Sequence, residues 1–217
     1  MQTLTEKVYH LNPPGGLFDS TVIVNLFPDL TVGARKLMVN RARRSGEVIR
    51  LRPGLYCLAR PFRRAEPHPF VLAAAIHGPS HVSLETALAY HGLIPEVVHQ
   101  MASVTVQRSR NFRTPMGWFA YYRVPSSAPR AGIKALELAK DEWAFVATPI
   151  RAMVDLVYLR KIRWAKDGMS FLTQSMRIEE EDLAELDLAA LDEILAGIHS
   201  RRTEEYFMRL KKELISC

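Results

Sequence analysis

The chain has 217 residues, 48% hydrophobic and 24% charged, with a formal net charge of +6, enough to bury a core in one large domain or two smaller ones. No run approaches the roughly 18 apolar residues of a membrane span, and the N-terminus lacks the basic-then-apolar layout of a signal peptide, so a cytoplasmic protein is expected. Two cysteines far apart in sequence, Cys57 and Cys217, imply neither a disulfide framework nor a metal knuckle, and reduced thiols are the default.

The charge is unevenly placed. Between Thr31 and Arg64 stand ten basic residues, Arg35, Lys36, Arg41, Arg43, Arg44, Arg50, Arg52, Arg60, Arg63 and Arg64, against the single acid Glu47. From Met176 to the end, eleven acids face six bases. One end of the protein therefore suits a polyanion and the other does not.

In chain order, a leader helix precedes a break at Pro13, Pro14, Gly15 and Gly16. An apolar run over 21–27, introduced by Asp19 and Ser20 as capping residues, reads as helix or strand. After Pro28 and Asp29, Thr31 is placed to cap a helix from Val32 to about Ser45, closed by Gly46. The pattern then turns β-like: Glu47 to Leu51, a tight Arg52-Pro53-Gly54 turn, and Leu55 to Leu58 form a hairpin. Helix, turn, helix and a basic-tipped hairpin is the order of a winged helix-turn-helix, whose second helix enters the major groove of DNA while the wing touches the backbone.

On that second helix, Ala34, Leu37, Met38 and Ala42 are expected on the packed side and Lys36, Asn40 and Arg43 on the other. Asn suits adenine N6 and N7 and a basic side chain suits guanine O6 and N7, so these three are the candidate base contacts. Arg35, Arg41 and Arg44 are candidate flanking phosphate contacts, Arg50 and Arg52 belong to the wing, and Thr31 at the helix cap completes the DNA-binding set. The competing reading is a solvated basic face on an interaction helix. The basic stretch Arg60 to Arg64 leads into the linker Glu66-Pro67-His68-Pro69, which places a domain boundary near residue 65: residues 1–65 form the winged helix-turn-helix and 66–217 a larger mixed α/β domain with an acidic, helical C-terminal end. The fold class is α+β.

In the second half, a helix over 71–76 ends at His77-Gly78-Pro79, and a short strand, His81-Val82, leads to Ser83 as the cap of a helix over 84–91. Strands follow over 102–107 and 118–124, joined through 113–117, then a strand over 143–147 and a helix from Pro149 to about Lys161. Leu183, Leu186, Leu188, Leu191, Ile194, Leu195 and Ile198 mark an apolar helical face beside the acids 179–182. That acidic surface is free to face a basic partner or to fold back over the basic block.

Little points to catalysis. His68, His77, His81, His91 and His99 fall in one window, but their spacing is not that of a metal site. Glu85 sits where the helix dipole favours an acid regardless of function. No acid cluster with a lysine suits a Mg²⁺-dependent nuclease, and no phosphate-binding glycine loop is present. No enzyme, metal or cofactor is expected.

The stretches GEVIRLRPGLYCL, HVSLETALAYHGLIPE, SVTVQRSRNFRTPMGWFAYYRVP and ATPIRAMVDLVYL, in that order, resemble the AbiEi family of antitoxins from type IV toxin–antitoxin systems, over roughly residues 20 to 160. The resemblance implies an N-terminal winged helix that represses its own operon at inverted repeats in double-stranded DNA, and a C-terminal domain that neutralises a nucleotidyltransferase-like toxin. Where family members often carry Pro-Glu-Lys-Ala-Leu, this chain has Pro149-Ile150-Arg151-Ala152-Met153, with Asp155 retaining the final acid. Packing through Met153, Leu156, Val157 and Leu159 is the expected role of this helix. The alternatives are a solitary winged-helix regulator and a protein–protein interaction module with non-specific nucleic-acid affinity.

Overall fold

The computed structural model describes residues 3–95, 100–165 and 168–216, in a mixed α and β architecture. His99 and Cys217 lie outside the described residues. The leader is helix α1 (Leu4–Leu11), started by a capping box in which Thr3 and Glu6 satisfy each other's amides. After the Pro-Gly break comes a short strand, β1 (Leu17–Asp19), not anticipated from the sequence. Gly15 has φ +57°, and a Cβ there would lie 2.5 Å from Cβ of Pro67, so no side chain fits where the break meets the linker.

Asp19 accepts from the amides of Thr21 and Val22 at 2.8 and 3.0 Å. With that cap the ambiguous apolar run forms a helix, α2 (Ser20–Leu26). Helix α3 (Val32–Arg44) begins at Thr31, whose hydroxyl accepts from the Ala34 amide at 3.2 Å. Past its end, Gly46 takes φ +76°. Glu47, the one acid of the basic block, accepts from the hydroxyls of Thr5 at 2.5 Å and Ser45 at 2.9 Å, tying α1 to the end of α3.

Strands β2 (Val48–Arg52) and β3 (Leu55–Leu58) form the expected hairpin, and β1 pairs on the far side of β3, giving the order β1-β3-β2. Both faces of this small sheet are buried, and side-chain alternation sends successive residues to two different cores. Phe18, Val48 and Leu58 join Leu4, Val8, Ile23, Phe27, Val39 and Ala42 in a small N-terminal core. Leu51, Leu55 and Cys57 point the other way, into the large core of the second unit with Phe70, Leu72 and Ile76. The chain boundary near residue 65 is thus not a boundary between cores.

That second core is built on a six-stranded sheet of order β6-β7-β5-β4-β9-β8, from β4 (His81–Val82), β5 (Gln100–Thr105), β6 (Arg110–Thr114), β7 (Gly117–Arg123), β8 (Ile133–Ala139) and β9 (Glu142–Ala147). The strands expected at 102–107 and 118–124 are neighbours, but they pair in parallel, and the 113–117 turn instead joins β6 to β7. The sequence reading missed β6 and β8. Both are edge strands: RNFRT in β6 is mostly polar, while IKALELA in β8 places charges at Lys134 and Glu137 among apolar residues, charges of the kind that keep edges from pairing with other chains. Helices α4 (Pro69–Ile76), α5 (Leu84–Tyr90) and α6 (Pro149–Leu159) complete the layer. The C-terminal helices α7 (Glu180–Ala184), α8 (Leu191–Ile198) and α9 (Arg201–Ser216) follow, and α8 and α9 pack on α6. No described helix is long and apolar enough to cross a membrane.

Because the hairpin is shared, a cavity on its second face should disturb the whole molecule. Leu55→Ala is expected to cost about 2–5 kcal/mol. The three tryptophans, Trp118, Trp143 and Trp164, all lie in the second unit. Urea unfolding followed by their fluorescence should shift together with far-UV circular dichroism; an unchanged fluorescence midpoint would contradict the shared core.

Candidate nucleic-acid interface

Helix α3 packs through Arg35, Met38, Val39 and Ala42, of which Val39 and Ala42 are fully buried. At about 100° per residue, the line opposite this packed side runs through Gly33, Leu37, Asn40 and Arg44. Lys36 and Arg43 flank it on one side and Arg41 on the other. Leu37, expected to pack, is 61% exposed. The expected face was rotated because Val39 had been left out of the apolar set, and Val39 rather than Leu37 anchors the helix on the small core.

The exposed side chains of Lys36, Asn40, Arg41, Arg43, Arg44 and Arg50 make no hydrogen bond or ion pair with any described residue. Arg41, Arg43 and Arg44 stand in the last turn, where the helix dipole favours cations. Arg50 is exposed on the edge strand β2. On α3 these residues give a solvent-facing, basic side with the Asn40 amide and the Leu37 isobutyl group at its centre.

The remaining basic residues of the block have partners within the chain. Arg35 donates from Nε to the Phe27 carbonyl at 3.0 Å and from Nη2 to the Pro28 carbonyl at 2.9 Å, clamping the turn between α2 and α3. That occupies the guanidinium expected to meet phosphate. Arg52, expected at the wing tip, is half-buried against the second unit: Nη1 donates to the Pro53 carbonyl at 3.1 Å, and β2 lies against β6. Its charge reaches His77, whose pKa is held down first by burial and further by Arg110 and Arg52. Arg63 is buried and donates to the Leu58 carbonyl at 2.8 Å; Arg64 lies over the Tyr9 ring, 5.1 Å from its centroid, and Arg60 pairs with Glu66 at 3.6 Å.

The histidines of the second unit go to separate places. His68 caps α4, His77 meets the Tyr121 ring edge-on, and His91 bonds the Ala147 carbonyl at 2.8 Å. Among the described residues, no three His, Cys, Asp or Glu side chains are grouped so as to hold a metal. Burial pushes the Cys57 thiol up to about 11, against the opposing charge of Arg63, so it is a packed thiol rather than a nucleophile.

One constellation was not read from the sequence. Arg151 and Asp155, one helical turn apart on α6, are both fully buried and paired Nε to Oδ1 at 3.0 Å. Asp155 Oδ2 also accepts from the Ser83 hydroxyl at 2.8 Å and lies 3.2 Å from His81 Nε2. Ser83, expected to cap α5 with its side chain, makes no such bond there, because its hydroxyl is directed to Asp155. The available signal was two charges spaced i, i+4 within an otherwise apolar helix. Burial alone would raise the Asp155 pKa, but Arg151, His81 and Ser83 together outweigh it and hold it below the ordinary carboxylate value.

Two expectations follow. Arg35→Ala should lower stability by about 1–3 kcal/mol through the loss of its two charge-assisted hydrogen bonds to the turn, whereas Lys36→Ala should change it by no more than about 0.5 kcal/mol; equal thermal shifts would contradict the division of the basic residues. Asp155→Ala should cost about 3–5 kcal/mol by leaving Arg151 buried and uncompensated. A depressed carboxylate contributes stability above its unfolded-state pKa, about 3.9, and loses it as pH falls through the lower folded value. Wild type should therefore lose stability relative to Asp155→Ala only in that acid window, measured by urea unfolding across pH.

Compared with known proteins, the chain matches no family model and no curated protein.

Proposed function

We propose that this chain is a sequence-specific DNA-binding repressor, with α2, α3 and the β2–β3 hairpin acting as a winged helix-turn-helix. The observation that carries this reading is the outward face of α3, where Lys36, Asn40, Arg43 and Arg44 stand without a partner among the described residues, around Gly33 and Leu37. A solvated surface helix needs no such concentration of uncompensated cations. In the groove, Asn40 would pair with adenine, Lys36 and Arg43 with guanine, and Leu37 would meet a thymine methyl. Gly33 has open space around it, the nearest side-chain atom to an added Cβ being 4.0 Å away, which would permit close backbone approach. Arg41, Arg44 and Arg50 would meet phosphates.

The resemblance to AbiEi antitoxins extends this to autoregulation at inverted repeats upstream of the gene, and to neutralisation of a nucleotidyltransferase-like toxin by the second unit. Trp118, Trp143 and Phe145, exposed on its sheet, supply aromatic surface suited to a protein partner.

A band-shift titration of the upstream DNA against scrambled DNA at near-physiological salt tests the repressor. The expected preference is about 10³ or more. Asn40→Ala should reduce discrimination by about 1–3 kcal/mol, while Arg50→Ala should weaken binding to all sequences and lower the salt slope by about one. Equal binding to both DNAs would leave only a non-specific module.

A further inference from the structure

A cavity of about 320 Å³ opens in the second unit, between the ends of β4, β5, β8 and β9 and the first turn of α6. Val104, Val106, Ile133 and Phe145 supply apolar wall, and Arg151 and His81 bring the buried polar network to its lining. We propose that this cavity binds a small apolar or aromatic carboxylate, its hydrocarbon against the aliphatic wall and its carboxylate held by Arg151 and Arg130.

The volume and lining match small-molecule sites, which are mostly apolar with a few fixed polar groups. Arg151 is only 1% exposed. It donates from Nε to Asp155 and from Nη1 to the Ala131 carbonyl at 2.9 Å, which leaves Nη2 and the second Nη1 hydrogen as donors for a ligand. Burying such a pair is no more stabilising than apolar packing of the same volume, so its placement beside a cavity is unexplained by stability alone. The network also fixes the guanidinium: Asp155 is bonded by Arg151, His81 and Ser83 and has little freedom to reorient. Such support is what an anchoring group in a binding site requires.

The charge balance selects the ligand's sign. Two guanidinium groups, Arg151 in the lining and Arg130 exposed at the rim, face one carboxylate that already has three partners. A cation is disfavoured, and an inorganic anion would leave the apolar wall unfilled. A carboxylate carrying a hydrocarbon or aryl group satisfies both parts, and the planar guanidinium suits its head.

The intact protein would be titrated with benzoate and phenylacetate, with benzyl alcohol and inorganic phosphate as controls, by ligand-detected NMR and thermal shift. At least one aryl carboxylate should bind, with benzyl alcohol and phosphate weaker by about tenfold or more, the worth of one charge-assisted hydrogen bond. Val106 is 39% exposed at the cavity, so Val106→Trp should obstruct it and abolish binding while keeping wild-type circular dichroism. Arg130→Ala, an exposed change, should weaken the carboxylate and leave benzyl alcohol unaffected. Absence of carboxylate binding, equal binding of benzyl alcohol, or binding untouched by both variants would overturn the proposal; none of these results bears on DNA recognition by α3.

Discussion

The hairpin β2–β3 is buried on both faces, and most of the architecture depends on that. Its alternating side chains enter two cores: Val48 and Leu58 seat the N-terminal helices, while Leu51, Leu55 and Cys57 enter the second unit. A strand pair with one wet face could rock on a linker. This one cannot move without opening a core, so the orientation of α3 is set by the second unit as well as by its own neighbours. Further ties reinforce it, including the His68 amide donating to Glu142 of β9 at 3.2 Å and the packing of β2 against β6.

The same constraint divides the basic residues. Arg35, Arg52, Arg63 and Arg64, on the packed side of α3, beside the turns or against the second unit, are bonded to carbonyls, rings or acids. Arg50, on the open edge of β2, and the basic residues on the far side of α3 have no such partners among the described residues. In the proposed repressor this produces a packed platform presenting an exposed basic fringe, and the platform rather than the fringe sets which groove positions can be reached. A wing whose tip is half-buried against the second unit would have fewer arginines for phosphate than the sequence suggests, Arg50 being the exposed one.

Much of this was legible in the sequence where local chemistry and tertiary demand agree. Thr31, Gly46 and the Pro53-Gly54 turn delimit α3 and the hairpin, as caps and turns do wherever they occur. Legibility failed where the decisive partner lies far along the chain. Val39 was a local sign of the packed arc of α3, but choosing between it and Leu37 as the anchor depends on Ile23, Phe27 and Val48, which the helix meets only in the fold. Nothing local predicts that the Ser83 hydroxyl leaves its helix cap for Asp155, 72 residues away. The edge strand β6 was invisible because RNFRT carries a single apolar residue and reads as loop, and β8 because IKALELA, rich in Ala, Leu, Lys and Glu, lacks the β-branched and aromatic enrichment of a strand. The four described histidines of the window, close in sequence, are dispersed over a helix cap, a ring contact, a buried acid and a carbonyl.

The proposed repressor depends on α3 being the surface that would meet DNA. The most direct measurement is an amide and side-chain chemical-shift map of the intact, isotope-labelled chain titrated with the upstream duplex. It predicts the largest shifts at Gly33, Lys36, Leu37, Asn40 and Arg44, with the Asn40 side-chain amide among them. Shifts confined to the second sheet or the C-terminal helices, with α3 silent, would contradict it.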